Sequence, residues 1–100
     1  LYIEEHYSEP IQLITAAEYA GVTASYLSRL FSEDLGTKFI DYLNRYRLDK
    51  AMILLKEKKL SIKETSYQVG YQDPNYFSRI FRKHMGVSPS SLEKRGKDND

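Results

Sequence analysis

Apolar residues recur along the chain at intervals of three and four, which is the spacing of one face of an α-helix. Between Thr37 and Glu57, for example, Phe39, Leu43 and Tyr46 follow this spacing. Alternation with a period of two, which predicts a half-buried strand, is nearly absent. The pattern therefore predicts an all-α fold.

Residues that begin and end helices divide this pattern into seven predicted helices. Ser, Thr or Asp can accept a hydrogen bond from the first turn, and glycine can end a helix in the left-handed conformation. The predicted caps are Thr23, Thr37, Ser61 and Asp73, and the predicted ends are Gly21, Gly36, Gly70 and Gly86. The predicted helices span 2–7, 13–20, 23–35, 37–57, 61–70, 73–85 and 88–94.

The order of these elements occurs twice. SYLSRLF, from Ser25 to Phe31, returns as NYFSRIF, from Asn75 to Phe81. Gly21 corresponds to Gly70, and one additional residue lies in the second turn. Each copy is a short helix, a turn that contains glycine and a longer helix, which is a helix-turn-helix.

The repeat predicts how the chain is organised. A first helix-turn-helix subdomain covers 1–36, a linker helix 37–57, a second subdomain 58–95 and a polar tail 96–100. The linker helix carries Phe39, Leu43 and Tyr46 on one side and Leu48, Met52 and Leu55 further round. We therefore expect the linker helix to contact both subdomains.

The repeated letters place apolar and polar side chains on opposite faces of the longer helix. The apolar face, predicted to be core, consists of Leu27, Leu30 and Phe31 in one copy and of Phe77, Ile80 and Phe81 in the other. The polar face consists of Ser25, Ser28, Arg29 and Ser32 in the first copy, and of Asn75, Ser78, Arg79 and Arg82 in the second. Such a face differs from an ordinary solvated one, which usually shows Glu and Lys pairs.

This polar face suits a DNA groove. Short side chains allow the helix to approach closely, the Arg fork matches O6 and N7 of guanine, and Asn75 matches N6 and N7 of adenine. A lone surface Arg29 would more simply be solvated or paired with Glu33. The same Arg at the same place in both copies favours DNA recognition.

Charge and composition restrict the remaining possibilities. Residues 1–36 carry six acidic side chains against Arg29, a net charge of −5, whereas residues 37–100 have a net charge of +6. This asymmetry permits an anionic partner but is equally consistent with solvated surface charges. Cysteine is absent, and His6 and His84 lie in different predicted subdomains. We therefore expect no catalytic site, no metal site and no cofactor.

The stretch VGYQDPNYFSRIFRKHMGVSPSSL, from Val69 to Leu92, resembles the DNA-binding domain of AraC/XylS-type bacterial transcription regulators. It contains the family's hallmark order of Gly-aromatic, Tyr-Phe, a basic residue, Phe, two basic residues, Gly and Ser-Pro. The first copy is similar to the family's more variable half, and the resemblance covers about 3–95. It implies that the third and sixth helices enter successive major-groove segments roughly 34 Å apart.

The resemblance also implies roles for individual residues. Base-reading positions fall on Ser25, Ser28, Arg29, Asn75, Tyr76, Ser78 and Arg79. Phosphate-binding positions fall on Thr37, Lys38, Arg82, Ser88 and Ser90. The implied partners are double-stranded DNA and RNA polymerase, and the implied location is the cytoplasm.

Two departures from the family pattern concern the first copy. Thr15 and Ala16 replace an acidic residue followed by Leu, which predicts less apolar volume in the first subdomain. Ser25 stands where some relatives carry a large side chain, so base reading by the first copy is expected to be weaker.

A helical protein-binding module that does not bind DNA is the alternative reading. The nine Tyr residues could serve an interface, although most of them lie at core spacing or beside turns. Membrane binding is not favoured, because no predicted helix has a continuous basic face opposite an apolar one. A steep salt dependence of binding would distinguish DNA phosphates from an apolar protein interface.

The start of the sequence predicts a longer parent protein. The chain begins LYIEEHYSEP, without Met and without the basic region of a signal peptide. The family usually places a sensing or dimerising domain before the DNA-binding domain. The stretch YQDPNYFSRIFRKHMGVSP is similar to that of members fused to a receiver domain, as in YesN-type response regulators, and a sugar-binding barrel is the alternative.

Overall fold

The computed structural model describes residues 2–57 and 60–92, and all regular elements within these ranges are helical. The helices are α1 (Tyr2–His6), α2 (Leu13–Ala20), α3 (Ala24–Leu30), which continues as a π-helical turn (Phe31–Leu35), α4 (Phe39–Lys56), α5 (Ile62–Gln68) and α6 (Pro74–Met85). A seventh helix, α7, begins at Pro89. The prediction of an all-α fold with seven helices is confirmed. The predicted end of α7 near Lys94 and the predicted tail 96–100 lie outside the described residues.

Three of the four predicted helix caps are confirmed by their hydrogen bonds. Thr23 Oγ1 accepts from the Tyr26 amide at 3.1 Å, and Asp73 Oδ1 accepts from the Asn75 amide at 2.9 Å. Ser61 forms a reciprocal capping box with Glu64: its Oγ accepts from the Glu64 amide at 3.1 Å and donates to Glu64 Oε1 at 2.9 Å. These caps satisfy amides that otherwise lack a partner in the first helical turn.

The prediction that Thr37 caps α4 is wrong. The helix begins at Phe39, and the carbonyl of Lys38 accepts the first bond, from the Tyr42 amide at 3.0 Å. The Thr37 amide instead donates to the Phe31 carbonyl and closes the preceding π-helical turn. Its hydroxyl donates to the Lys38 carbonyl at 3.4 Å. Thr37 therefore belongs to the end of the preceding helix.

The chain divides into two compact units, and the boundary falls between Tyr46 and Arg47, inside α4. Phe39 and Leu43, from the first part of α4, belong to the core of the first unit. Leu48 and Leu55, from the second part, are fully buried in the second unit. As the sequence predicts, one unbroken helix contributes to both cores, because its apolar residues cover more than one side.

The two repeats differ in how completely the apolar face of the longer helix is buried. Phe77 and Phe81 of α6 are 0% exposed, whereas no residue of α3, all seven of which are described, is buried. In the first unit an apolar groove of about 260 Å³ lies beside Leu27 and Phe31. Ala16 also lines this groove. The groove agrees with the smaller apolar volume that Ala16 predicts for the first subdomain.

The tyrosines are more exposed than their spacing predicts. Of the nine, all of which lie in described residues, only Tyr71 is buried. Tyr19, Tyr26, Tyr42, Tyr67 and Tyr76 are exposed. Spacing alone does not distinguish a core tyrosine from one that lies across the rim of a small unit, because the ring is long and amphipathic.

In the second unit, the buried side chains of Arg47 and Tyr71 contact each other. Arg47 is 7% exposed and donates a hydrogen bond to the Tyr71 hydroxyl, and its Cζ lies 5.3 Å from the centre of the Tyr71 ring. Burial lowers the pKa of Arg47, and the Tyr71 contact partly opposes this effect. Burial raises the pKa of Tyr71 to about 12, and the positive charge of Arg47 offsets only part of that rise.

The raised pKa of Tyr71 predicts a loss of stability in alkali. The folded state holds the phenol proton more tightly than the unfolded chain does. The stabilisation is therefore fully present below pH 10 and is lost as the pH rises towards about 12. We expect the free energy of unfolding, measured with urea, to fall less steeply across this range in Tyr71→Phe than in the unmodified protein. An equal fall in both proteins would contradict the assignment.

Candidate nucleic-acid interface

The two helix-turn-helix copies close their turns with the same backbone hydrogen bonds. The amide of Gly21 donates to the Glu18 carbonyl at 3.2 Å, and the following amide donates to Ala17 at 3.0 Å. In the second copy, the amide of Gly70 donates to Tyr67 at 3.2 Å, and the next amide donates to Ser66 at 2.8 Å. Both glycines have positive φ, of 74° and 107°, which L-residues rarely adopt. The repeat therefore extends to the turn geometry.

These turns place α2 against α3 and α5 against α6. The caps at Thr23 and Asp73 then set the first residue of each longer helix. One residue lies between Gly21 and its cap Thr23, and two lie between Gly70 and Asp73, which is the insertion that the sequence predicts. Proline at the first position of α6 suits that place, because the missing N–H has no partner there in any helix.

The predicted reading face of the first unit is assembled on α3. Ser25, Ser28 and Arg29 are all exposed and line one shallow depression together with Ser32. Ser28 also lines a neighbouring depression with Lys38. The structure thus brings three predicted base-reading residues and one predicted phosphate-binding residue to one side of this unit.

The predicted reading face of the second unit lies on α6. Asn75, Tyr76 and Arg79 are exposed, and Ser78 is half-buried. The backbone amide of Asn75 bonds to the Asp73 cap, whereas its side-chain amide makes no hydrogen bond within the described chain. That side chain is therefore available to a ligand. Ser78 is the least accessible of the four.

The two repeated arginines have matching surroundings. Arg29 Cζ lies 5.7 Å from the centre of the Tyr26 ring, and Arg79 Cζ lies 5.8 Å from the centre of the Tyr76 ring. No ion pair joins Arg29 to Glu33, although both residues are described. Sequence reasoning placed Tyr76 on the reading face and missed its counterpart Tyr26. The signal was present, because the two tyrosines correspond in the alignment of the copies.

The predicted phosphate-binding residues lie at different sites. Lys38 is exposed and Thr37 is half-buried at the start of α4. Arg82 is exposed on α6, one turn beyond Arg79. Ser88, half-buried, and Ser90, exposed, share a hydrogen bond of 2.9 Å between their hydroxyls at the start of α7.

The described residues contain no group of His, Asp or Glu side chains placed to hold a metal ion. Over the same part of the chain, no helix has the length and apolar character to cross a membrane. His6 pairs with Glu9 at 2.8 Å, and His84 is exposed in the last turn of α6.

Comparison with known proteins gives one family match and many relatives. A family model described as a helix-turn-helix domain matches residues 16–95. The regulator YpdC of Escherichia coli, an uncharacterised transcriptional regulator of helix-turn-helix type, is 31% identical over 94 residues. That match covers 94% of this chain and 33% of YpdC. The chain thus spans about a third of the length of the curated relatives it matches.

Solved structures give the same fold. The C-terminal domain of AraT, a response regulator from Geobacillus stearothermophilus, matches with a TM-score of 0.89 and 40% identity over 94% of this chain and 78% of that one. The C-terminal domain of the response regulator YesN from Fusobacterium nucleatum matches with a TM-score of 0.86 and 34% identity over 92% and 90%. The DNA-binding domain of AdpA, in complex with a target DNA, has a TM-score of 0.89 at 23% identity over 98% and 88%, which shows the fold alone.

Proposed function

We propose a function from the premise that this chain belongs to the AraC-type helix-turn-helix family of transcription regulators. The chain binds double-stranded DNA sequence-specifically, through two recognition helices. The observation that carries the proposal is the pair Arg29 and Arg79. Each is exposed on the polar face of the longer helix of its copy, and each lies over a tyrosine ring. An arginine presented in this way can offer its donors to a guanine edge.

Base reading and phosphate binding are assigned to different sets of residues. Base reading is assigned to Ser25, Ser28 and Arg29 on α3, and to Asn75, Tyr76, Ser78 and Arg79 on α6. Phosphate binding is assigned to Thr37, Lys38, Arg82, Ser88 and Ser90. We keep Thr37 among the phosphate-binding residues because it lies beside Lys38 at the start of α4. This role does not require Thr37 to cap the helix. Phosphate contacts orient the protein on the duplex, and base contacts supply the sequence preference.

The domain organisation and the whole protein are part of the same proposal. We retain two DNA-binding subdomains, over 1–36 and 58–95, with the linker over 37–57. A regulator of this type would carry a sensing or receiver domain before residue 1 and would contact RNA polymerase. It would act in the cytoplasm, where bacterial DNA lies, and would not be an enzyme. These properties are supported by the regulator families that the chain resembles.

Random-duplex selection with the 100-residue chain tests the proposed function. We expect enrichment of one site with two preferred blocks of base pairs about one helical turn apart. Affinity for that site should fall steeply as the salt concentration rises. Failure to enrich any sequence, at low as well as moderate salt, would overturn the proposal.

Lys38→Ala tests the phosphate assignment separately. The exposed ammonium should release a counterion on contact with a phosphate, so its removal should weaken all sequences alike. We expect the slope of log K against log salt to fall by about one unit. Lys56→Ala, the same charge change at the exposed end of α4, is the matched control. A change of base preference in Lys38→Ala, or an equal effect in both variants, would contradict the assignment.

A protein-binding function is the second candidate, and the apolar groove beside Leu27 and Phe31 favours it. Tyr19 and Tyr42 also line the groove, and both are exposed. Aromatic side chains are enriched in protein interfaces. Binding through this groove should be insensitive to salt, so the titration described above separates the two functions.

A further inference from the structure

We propose that Tyr26 and Tyr76 are positioning residues that hold Arg29 and Arg79 in place for base reading. This inference rests on the proposed function and extends it, because it assigns to each tyrosine ring an effect that passes through the arginine. For Tyr76 it specifies what a residue of the reading face does there. Tyr26, which sequence reasoning did not select, joins that face.

The geometry of the two copies carries the proposal. In each copy the tyrosine precedes the arginine by three residues, so the two side chains are neighbours on the helix surface. The distances from Cζ to the ring centre, 5.7 and 5.8 Å, lie within the range of a cation–π contact. All four side chains are exposed, which means that burial does not force them together. The same contact has therefore formed twice on two otherwise different surfaces.

In the second unit the tyrosine is itself supported from the core. The rings of Tyr76 and Tyr71 have centres 6.0 Å apart, and the Tyr71 ring lies 5.5 Å from that of the fully buried Phe77. Beyond Tyr71 lies the buried Arg47. A series of contacts thus runs from Arg47 through Tyr71 and Tyr76 to Arg79.

The described residues of the first unit contain no counterpart to this series. Within the described chain, the Tyr26 ring contacts Arg29 and no second aromatic ring. Tyr76 therefore has a second aromatic neighbour, Tyr71, that Tyr26 lacks among the described residues. We infer that Arg79 is the better positioned of the two arginines.

The functional consequence is that the arginine side chain loses less rotamer entropy when DNA binds. A long arginine side chain that is immobilised on binding loses rotamer entropy, which weakens the complex. A ring that already restricts the arginine removes part of that loss before binding. The contact at an exposed site corresponds to about a two- to five-fold change in affinity. Because the effect acts through the arginine, it should be limited to the base pairs that this arginine reads.

A double-mutant cycle on the second copy tests the inference with the 100-residue chain and its selected duplex. Tyr76→Leu should weaken binding about two- to five-fold and relax preference in the same block of base pairs as Arg79→Ala. Tyr76→Phe retains the ring and should therefore relax preference in that block less than Tyr76→Leu does. In the Arg79→Ala background, Tyr76→Leu should have no further effect. The corresponding variants at Tyr26 should show the same pattern with a smaller change.

Additive effects of Tyr76→Leu and Arg79→Ala, or an equal relaxation of preference in Tyr76→Phe and Tyr76→Leu, would overturn the inference, because the effect of the Tyr76 ring would then not pass through Arg79. NMR of the free protein supplies a readout that does not depend on DNA. The side-chain protons of Arg79 should carry a ring-current shift that Tyr76→Leu abolishes and Tyr76→Phe preserves. Absence of that shift overturns the inference even if DNA binds. Absence of duplex binding with the shift present would instead contradict the proposed function.

Discussion

Arg79→Ala is expected to weaken binding to the selected duplex by about 1–3 kcal/mol and to relax preference within one block of base pairs. The guanidinium is exposed on α6 and lies over Tyr76, so it can reach a base edge without first breaking an ion pair. Arg29→Ala should relax preference in a different block, about one helical turn away. We expect the Arg79 effect to be the larger, because Asn75 and Arg82 flank it. The measurement is a binding series in which each base pair is varied in turn.

Arg45→Ala is the matched control for this series. Arg45 is exposed on α4 and loses the same charge when replaced, but it lies on neither reading face. A uniform change or no change is expected for Arg45→Ala. Should Arg29→Ala and Arg79→Ala both retain the unmodified preference, the repeated letters would serve folding alone. Specificity would then have to come from Asn75, the serines or DNA shape.

Phe77→Ala is expected to have the largest effect on stability. The side chain is 0% exposed, and its ring contacts those of Tyr71 and Phe81 at 5.5 and 5.6 Å. Truncation of a fully buried Phe costs about 3–5 kcal/mol, through lost apolar burial and the cavity that remains. Since domains are typically stable by about 5–15 kcal/mol, this variant should lose a large fraction of its stability. Urea unfolding followed by circular dichroism measures the change.

Phe31→Ala is the control in the first repeat, where the apolar face is open. Phe31 corresponds to Phe81, which lies one helical turn after Phe77. Phe31 is half-buried and lies against Phe39 and Tyr42 at 5.3 and 5.5 Å, beside the groove. Its truncation removes less buried surface and enlarges a space that is already open to solvent. We expect a loss of about half that of Phe77→Ala or less. Equal losses in the two variants would show that the cores of the two units are equally closed.

Most of the helices could be predicted because their boundaries are set by local chemistry. A cap such as Thr23 or Ser61 bonds to an amide three residues away, and a glycine such as Gly86 takes positive φ without support from distant residues. The wrong prediction at Thr37 also comes from reading local chemistry alone. The sequence around Thr37 suits a cap, but α4 begins at Phe39, and the Thr37 amide bonds to the Phe31 carbonyl at the end of the preceding π-helical turn.

The candidate site could be predicted in its residue types and less so in its contacts. The repeat of Ser-Arg on one helical face identified Arg29 and Arg79, because helical spacing alone determines which side chains share a face. The contact of Arg29 with Tyr26 rather than Glu33 depended on which side chain lies closer on the folded surface. Both partners are within one turn of Arg29, so spacing could not choose between them.

The sequence by itself determined the helical class, the duplicated helix-turn-helix, the capping chemistry and the polar faces that carry the arginines. These features depend on interactions within a few residues and on the helical period. Only the tertiary structure decided that Phe77 is fully buried while Phe31 borders a groove, that Arg47 is buried against Tyr71, and that the boundary between the two units falls inside α4. Burial depends on which distant segments cover a side chain, and an arginine at a polar position of a helix gives no local sign that another helix will cover it.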